Sequence, residues 1–82
     1  MDFIRINDTT TGGGKVISAS GTMRYDERLI ARKGDRVTCQ KHPDVQPNLI
    51  LEGDETMTED GVPLARHNHR VSCGCRLISS LR

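Results

Sequence analysis

Every cysteine and histidine of this 82-residue chain falls within two short stretches, 39–42 and 67–75. Cys39-Gln40-Lys41-His42 is a Cys-x-x-His pair. Two intervening residues let a tight turn aim both side chains at one point, as tetrahedral zinc requires. His69-x-x-x-Cys73 and Cys73-x-Cys75 add donors, with His67 in reserve. Thiolate plus imidazole is a softness that favours zinc over magnesium or calcium. Six candidates compete for four places. Residues 67, 69, 71, 73 and 75 share one face of a straight strand. Such a strand would hold His69 about 13 Å from Cys73, so both reach one ion only where the chain bends between them. The expected ligands are Cys39, His42, His69 and Cys73, with His67 and Cys75 as alternates. A closed four-donor set is structural and leaves no open position for Lewis-acid chemistry. Against this stands the plainer reading of cysteine as a small buried hydrophobe and of His67 as a solvated turn residue.

What must position these donors is a repeat. Sliding 30–42 onto 64–75 by 34 positions sets Ala31 on Ala65, Arg32 on Arg66, Arg36 on Arg70, Val37 on Val71 and Cys39 on Cys73. Between Gly21 and Cys39, 8 positions are identical to the second copy, far above the roughly one in twenty of chance, so one supersecondary unit is used again. A fainter third copy opens the chain: with Asn7-Asp8 placed on Gly34-Asp35, Thr11 falls on Thr38 and Gly12 falls where Cys39 and Cys73 lie. Three β units in one small chain predict a pseudo-threefold object.

The elements are short. Asp2 to Ile6, Lys15 to Ser20, Leu29 to Arg32, Arg36 to Cys39 and Asn48 to Gly53 read as strands, and Val62 to Arg66 as a returning one. Tyr25-Asp26-Glu27-Arg28, Gly34-Asp35 and Glu59-Asp60-Gly61 read as turns. No segment carries helical periodicity. The expected fold is all-β, one domain over 1–82, with repeat units at about 6–20, 21–53 and 54–79.

Composition narrows the function. Only 34% of residues are hydrophobic, and Phe3 and Tyr25 are the sole aromatics. A core this poor calls for a metal, a partner subunit or both. A net charge of +1 does not suggest an anionic-membrane protein, and with almost no rings for stacking it argues against nucleic-acid binding. Apolar runs reach about four residues, against roughly 20 for a membrane span. Met1-Asp2-Phe3-Ile4-Arg5 has no apolar signal-peptide core. Folding in the cytoplasm is therefore expected, where thiols stay reduced and serve as metal ligands. There is no His-Glu-x-x-His, no nucleophile elbow, and Gly12-Gly13-Gly14-Lys15 lacks phosphate-loop spacing. No enzymatic activity is expected. A small structural zinc module for protein or nucleic-acid recognition is the alternative reading.

On these residues the chain resembles a PAAR-repeat domain. The resemblance is carried by Asp8-x-Thr10-Thr11-x-Gly13-Gly14-x-Val16, by Ala-Arg-x-Gly-Asp at 31–35, by Gly-x-Pro-x-Ala-Arg at 61–66, and by Cys73-Gly74-Cys75-x-Leu77-Ile78-Ser79. It runs from about Ile6 to Ser79. It implies a small β cone, one per spike, that caps the trimeric VgrG spike of a bacterial type VI secretion system. Zinc held by histidine and cysteine stiffens the apex, and the assembly is fired through a target membrane with effectors. The chain departs from the family where many members have histidine and Gly12 stands here, and where Asn68-His69 replaces the usual Gly-Asp. The first departure implies that His69 or His67 takes the vacated ligand place. Only Ser80-Leu81-Arg82 follow the last motif, so no fused effector is expected. Val16, Ile17, Ile50 and Leu51 are candidates either for the contact with the spike or for the core.

Overall fold

Three backbone hydrogen bonds close a ring at the centre of the molecule. Ile4 N–H donates to the Ala65 carbonyl, Ala65 N–H to that of Ala31, and Ala31 N–H to that of Ile4, at 3.0, 3.0 and 2.8 Å. The computed structural model describes residues 2–42 and 44–81, and this ring is its pseudo-threefold axis. Each side is a single antiparallel bridge: Phe3 with Arg66, Arg5 with Ile30, Arg32 with Leu64. Ile4, Ala31 and Ala65 are wholly buried there.

The next turn is repeated three times. Asn7, Gly34 and Asn68 take φ of 73°, 92° and 74°, the left-handed region that Gly and Asn enter most readily. The residue that follows accepts the N–H of the arginine three places back. Asp8 accepts from Arg5 at 2.8 Å, Asp35 from Arg32 at 2.7 Å, and His69 Nδ1 from Arg66 at 3.1 Å. Val16, Ile50 and Leu77 then lock onto these turns through paired backbone bonds. All three side chains are essentially inaccessible. Val37, Val71 and Thr10 cross to them from the neighbouring repeat.

Regular strands are correspondingly short. β1 (Thr9–Thr10) pairs with β6 (Leu77–Ile78), β2 (Arg24–Tyr25) with β3 (Arg28–Leu29), and β4 (Asp54–Glu59) with β5 (Val62–Leu64), all antiparallel. There is no helix among the described residues. The strands expected at 2–6, 15–20, 36–39 and 48–53 are isolated bridges, not ladders. A chain that turns to a new face after one or two pairs has no length over which to extend a ladder. The expected turns at 25–28 and 59–61 are hairpins with positive φ at both central residues, Asp26-Glu27 and Asp60-Gly61, the twist that matches two-residue hairpins.

The two ends differ in material. At the hairpin end, Phe3, Ile30 and Leu64 form an apolar cluster against half-buried Met23, Met57 and Leu81. The Arg66 guanidinium lies 5.3 Å over the Phe3 ring and pairs with Asp2 and with Asp54, the latter at 2.8 Å. Glu59 accepts from the hydroxyls of Ser20 and Thr22 and pairs with Arg32 at 3.2 Å. The turn end holds the connections that follow Thr10, Val37 and Val71. Between the ends lies an aliphatic core of Ile4, Val16, Ala31, Val37, Ile50, Ala65, Val71, Cys75 and Leu77. Each large aliphatic side chain buried there stabilises by about 1.5–3 kcal/mol. Val16 and Ile50 are thus core and unable to meet a partner, while Ile17 and Leu51 stay exposed.

Candidate metal centre

The three connections at the turn end occupy equivalent places. Thr10 N–H donates to the Gly14 carbonyl, Val37 N–H to that of Asn48, and Val71 N–H to that of Cys75. The first and third are tight turns through Gly13 and Gly74, at φ 83° and 92°. The second carries the longer loop from Gln40 to Pro47. Position by position, Gly12 corresponds to Cys39 and Cys73, and Gly14 to Asn48 and Cys75. Two of the three equivalent sites before the turn therefore carry thiols, and one of the three after it. The long loop contributes His42.

These donors converge. One ligand atom from each of Cys39, His42, Cys73 and Cys75 lies within 4.8 Å of the other three. Cys39 Sγ is 3.3 Å from His42 Nδ1 and 3.9 Å from Cys75 Sγ. Zinc bonds of about 2.3 Å to sulfur and 2.0–2.1 Å to nitrogen, in a tetrahedron, set sulfur–sulfur and sulfur–nitrogen separations of about 3.8 and 3.5 Å. The donor set and its spacing fit such an ion. Cys75 is buried, Cys39 and Cys73 are half-buried, and His42 is exposed.

Glycine makes the room. A Cβ on Gly12 would lie 2.5 Å from Cys75 Sγ, and one on Gly14 only 1.8 Å from the Thr38 carbonyl oxygen. At Gly12 the absent side chain is what lets the Cys75 thiol enter the cluster. At Gly14 it is what lets two backbones meet.

The surroundings favour a charged Cys73. Asn48, buried, receives the Cys73 N–H on its Oδ1 at 3.0 Å and donates Nδ2–H to Cys73 Sγ at 3.4 Å. Burial pushes the Cys73 thiol up, but the Cys75 backbone N–H, the neighbouring thiols and Asn48 outweigh it, and the group sits below its ordinary value. Cys75 is pushed up, first by burial and then by its two sulfur neighbours. Three sulfurs and an imidazole nitrogen this close form a site that suits a divalent cation, which binds cysteine as the thiolate.

The sequence-predicted residues divide here. Cys39, His42 and Cys73 come together, and the fourth member of the cluster is Cys75, an alternate. His69, expected as a ligand, is not among the four. Its Nδ1 accepts the Arg66 N–H, the task of Asp8 and Asp35 in the other repeats. His67 likewise accepts the Ser79 N–H on Nδ1 at 3.1 Å. Both histidines secure backbone turns. Pro43, which the sequence places beside His42, lies outside the described residues. Asn48 escaped sequence reasoning as a site residue; its signal is its place just before the apolar stretch Leu49-Ile50-Leu51, where the other copies have Gly14 and Cys75.

A body of threefold repeats without a helix among its described residues, ended by a four-donor thiol and imidazole cluster, defines a class of small β repeat proteins with a potential metal site at one end. The family model of the PAAR motif matches residues 6–79, nearly the whole chain, and the chain belongs to that family, one of spike-tip proteins in type VI secretion. No curated protein matches the chain. No helix among the described residues is long and apolar enough to cross a membrane.

Proposed function

We propose that this chain is the tip of a type VI secretion spike: it caps a trimeric VgrG protein with its hairpin end and leads with a zinc-stiffened turn end. The observation that carries the reading is the closed ring of Ile4, Ala31 and Ala65, which gives one chain an internal threefold axis. A trimer has one such axis at its blunt end, so a single cap meets three subunits equivalently. Half-buried Met23, Met57 and Leu81, packed over the apolar cluster, form the surface suited to that contact. Zinc bound by Cys39, His42, Cys73 and Cys75 ties the long loop of the second repeat to the tight turn of the third. With four protein donors the ion is structural. It stiffens a point that has little apolar matter of its own, because metal binding is folding free energy. Membrane puncture and effector delivery follow from this placement at the leading end.

The test is co-elution with the VgrG trimer, with mass measured by light scattering. One chain per trimer is expected, with binding weakened by Met23→Ser, Met57→Ser and Leu81→Ser combined. Three chains per trimer, or no complex, would contradict the reading.

A further inference from the structure

Four large apolar side chains are exposed among the described residues, and three of them occupy one equivalent position. Ile17, Leu51 and Ile78 are 52%, 49% and 36% accessible. Each directly follows one of the three buried residues Val16, Ile50 and Leu77 that lock the repeats together. They form a ring around the flank, between the central hydrogen-bonded ring and the metal centre. Ile17 also edges a groove of about 670 Å³ beside Cys39.

The ring is set among cations. Lys15 and Arg76 occupy the equivalent positions two residues before Ile17 and Ile78, and Arg36 lies across from Ile17, its carbonyl accepting the Ile17 N–H at 2.9 Å. Among the described residues none of Lys15, Arg36 and Arg76 has a carboxylate partner, whereas Arg70, across from Leu51, pairs with Glu52 at 3.3 Å. The acidic residues concentrate instead in the hairpins, at 26–27, 54–55 and 59–60. Several of those acids are paired, Asp26 with Arg5, Glu59 with Arg32 and Asp54 with Arg66.

We infer that this flank is a membrane-interface girdle that engages an anionic lipid bilayer entered turn end first. The inference rests on the spike-tip reading for its direction of entry. Three aliphatic side chains on three faces cannot all touch one flat partner laid against the flank. A bilayer pierced along the pseudo-threefold axis meets all three at one depth. Apolar area at the acyl boundary and cations at lipid phosphates are the two contributions that hold proteins at such an interface.

The experiment is sedimentation of the zinc-loaded chain with vesicles of phosphatidylcholine containing about one third phosphatidylglycerol, and with phosphatidylcholine alone, with VgrG binding measured in parallel. The wild type should partition to the anionic vesicles and weaken with salt. Each of Ile17→Ser, Leu51→Ser and Ile78→Ser should cost about fivefold, and the triple variant at least about fiftyfold. Arg36→Gln with Arg76→Gln should cost about tenfold or more. All these positions are exposed, so VgrG binding should persist and report an intact fold. Absent vesicle binding, or a triple variant that binds as the wild type does, would overturn the girdle and leave the spike-tip reading in place. Vesicle binding without VgrG binding would overturn the spike-tip reading instead.

Discussion

The two ends of this molecule repeat the same threefold plan in different materials. At the hairpin end, equivalent positions carry similar matter, Phe3, Ile30 and Leu64, with Met23, Met57 and Leu81 packed over them. Apolar packing is indifferent to which side chain is which, so the symmetry survives. At the turn end, equivalent positions diverge into Gly12, Cys39 and Cys73, and into Gly14, Asn48 and Cys75. A tetrahedral ion needs four donors, and a threefold axis supplies sets of three. One repeat must give up its side chain to make space, and one must lengthen its loop to bring His42. The difference teaches where a repeat protein departs from its repeat: where chemistry needs a count that the symmetry cannot supply.

The strongest way to break the comparison is to remove the metal. Zinc present at about a thousand times its dissociation constant stabilises by about 4 kcal/mol. Its removal by a chelator, or Cys39→Ser, should lower the melting midpoint by roughly 20 °C. Amide exchange should quicken at 39–42, 44–46, 48 and 71–75, while the Ile4, Ala31 and Ala65 amides stay protected. Equal loss of protection at both ends would mean that the ends are not held separately.

A core truncation should act on both ends together. Ile50→Ala removes a side chain that is 1% exposed between the central ring and the metal centre. It should cost about 3 kcal/mol in denaturant unfolding, with metal stoichiometry unchanged. A variant that keeps its stability and loses its zinc would place Ile50 in the metal centre's support alone.

Acid should act on the hairpin end, and least strongly. Asp54 is held below its ordinary value by the Thr56 hydroxyl and backbone N–H, then by Arg66. Glu59 is lowered by the hydroxyls of Ser20 and Thr22, then by Arg32. A carboxylate whose folded value is depressed stabilises above its unfolded value and loses that contribution as pH falls through the folded one. Below about pH 4 the chelated protein should therefore lose a few degrees of melting midpoint that an Asp54→Asn, Glu59→Gln variant does not lose. An identical acid response in that variant would move the cause elsewhere.

Much of this plan is legible in the amino-acid order. The 34-residue offset, the third copy at Asn7-Asp8, and the hairpins at Asp26-Glu27 and Asp60-Gly61 all stand in the sequence because each turn demands particular residues. Cys39, His42 and Cys73 are legible for the same reason. His69 and Cys75 exchange roles because strand parity treats 69 to 75 as one straight segment. Gly74 at φ 92° turns the chain between Cys73 and Cys75, bringing into one cluster two thiols that are adjacent in parity. Asn68-His69, meanwhile, does the backbone work of Gly34-Asp35. An imidazole nitrogen accepts a backbone N–H as a carboxylate does, and seeing His69 as a substitute for Asp8 and Asp35 requires knowing what those aspartates do. The space vacated at Gly12 is likewise visible only once Cys75 is seen to fill it.

The most direct measurement is zinc content per chain by elemental mass spectrometry for the wild type, Cys75→Ser and His69→Ala. One zinc in the wild type, retained in His69→Ala and lost or greatly weakened in Cys75→Ser, is the predicted result. Full zinc in Cys75→Ser with loss in His69→Ala would contradict the centre described here and return the fourth place to histidine.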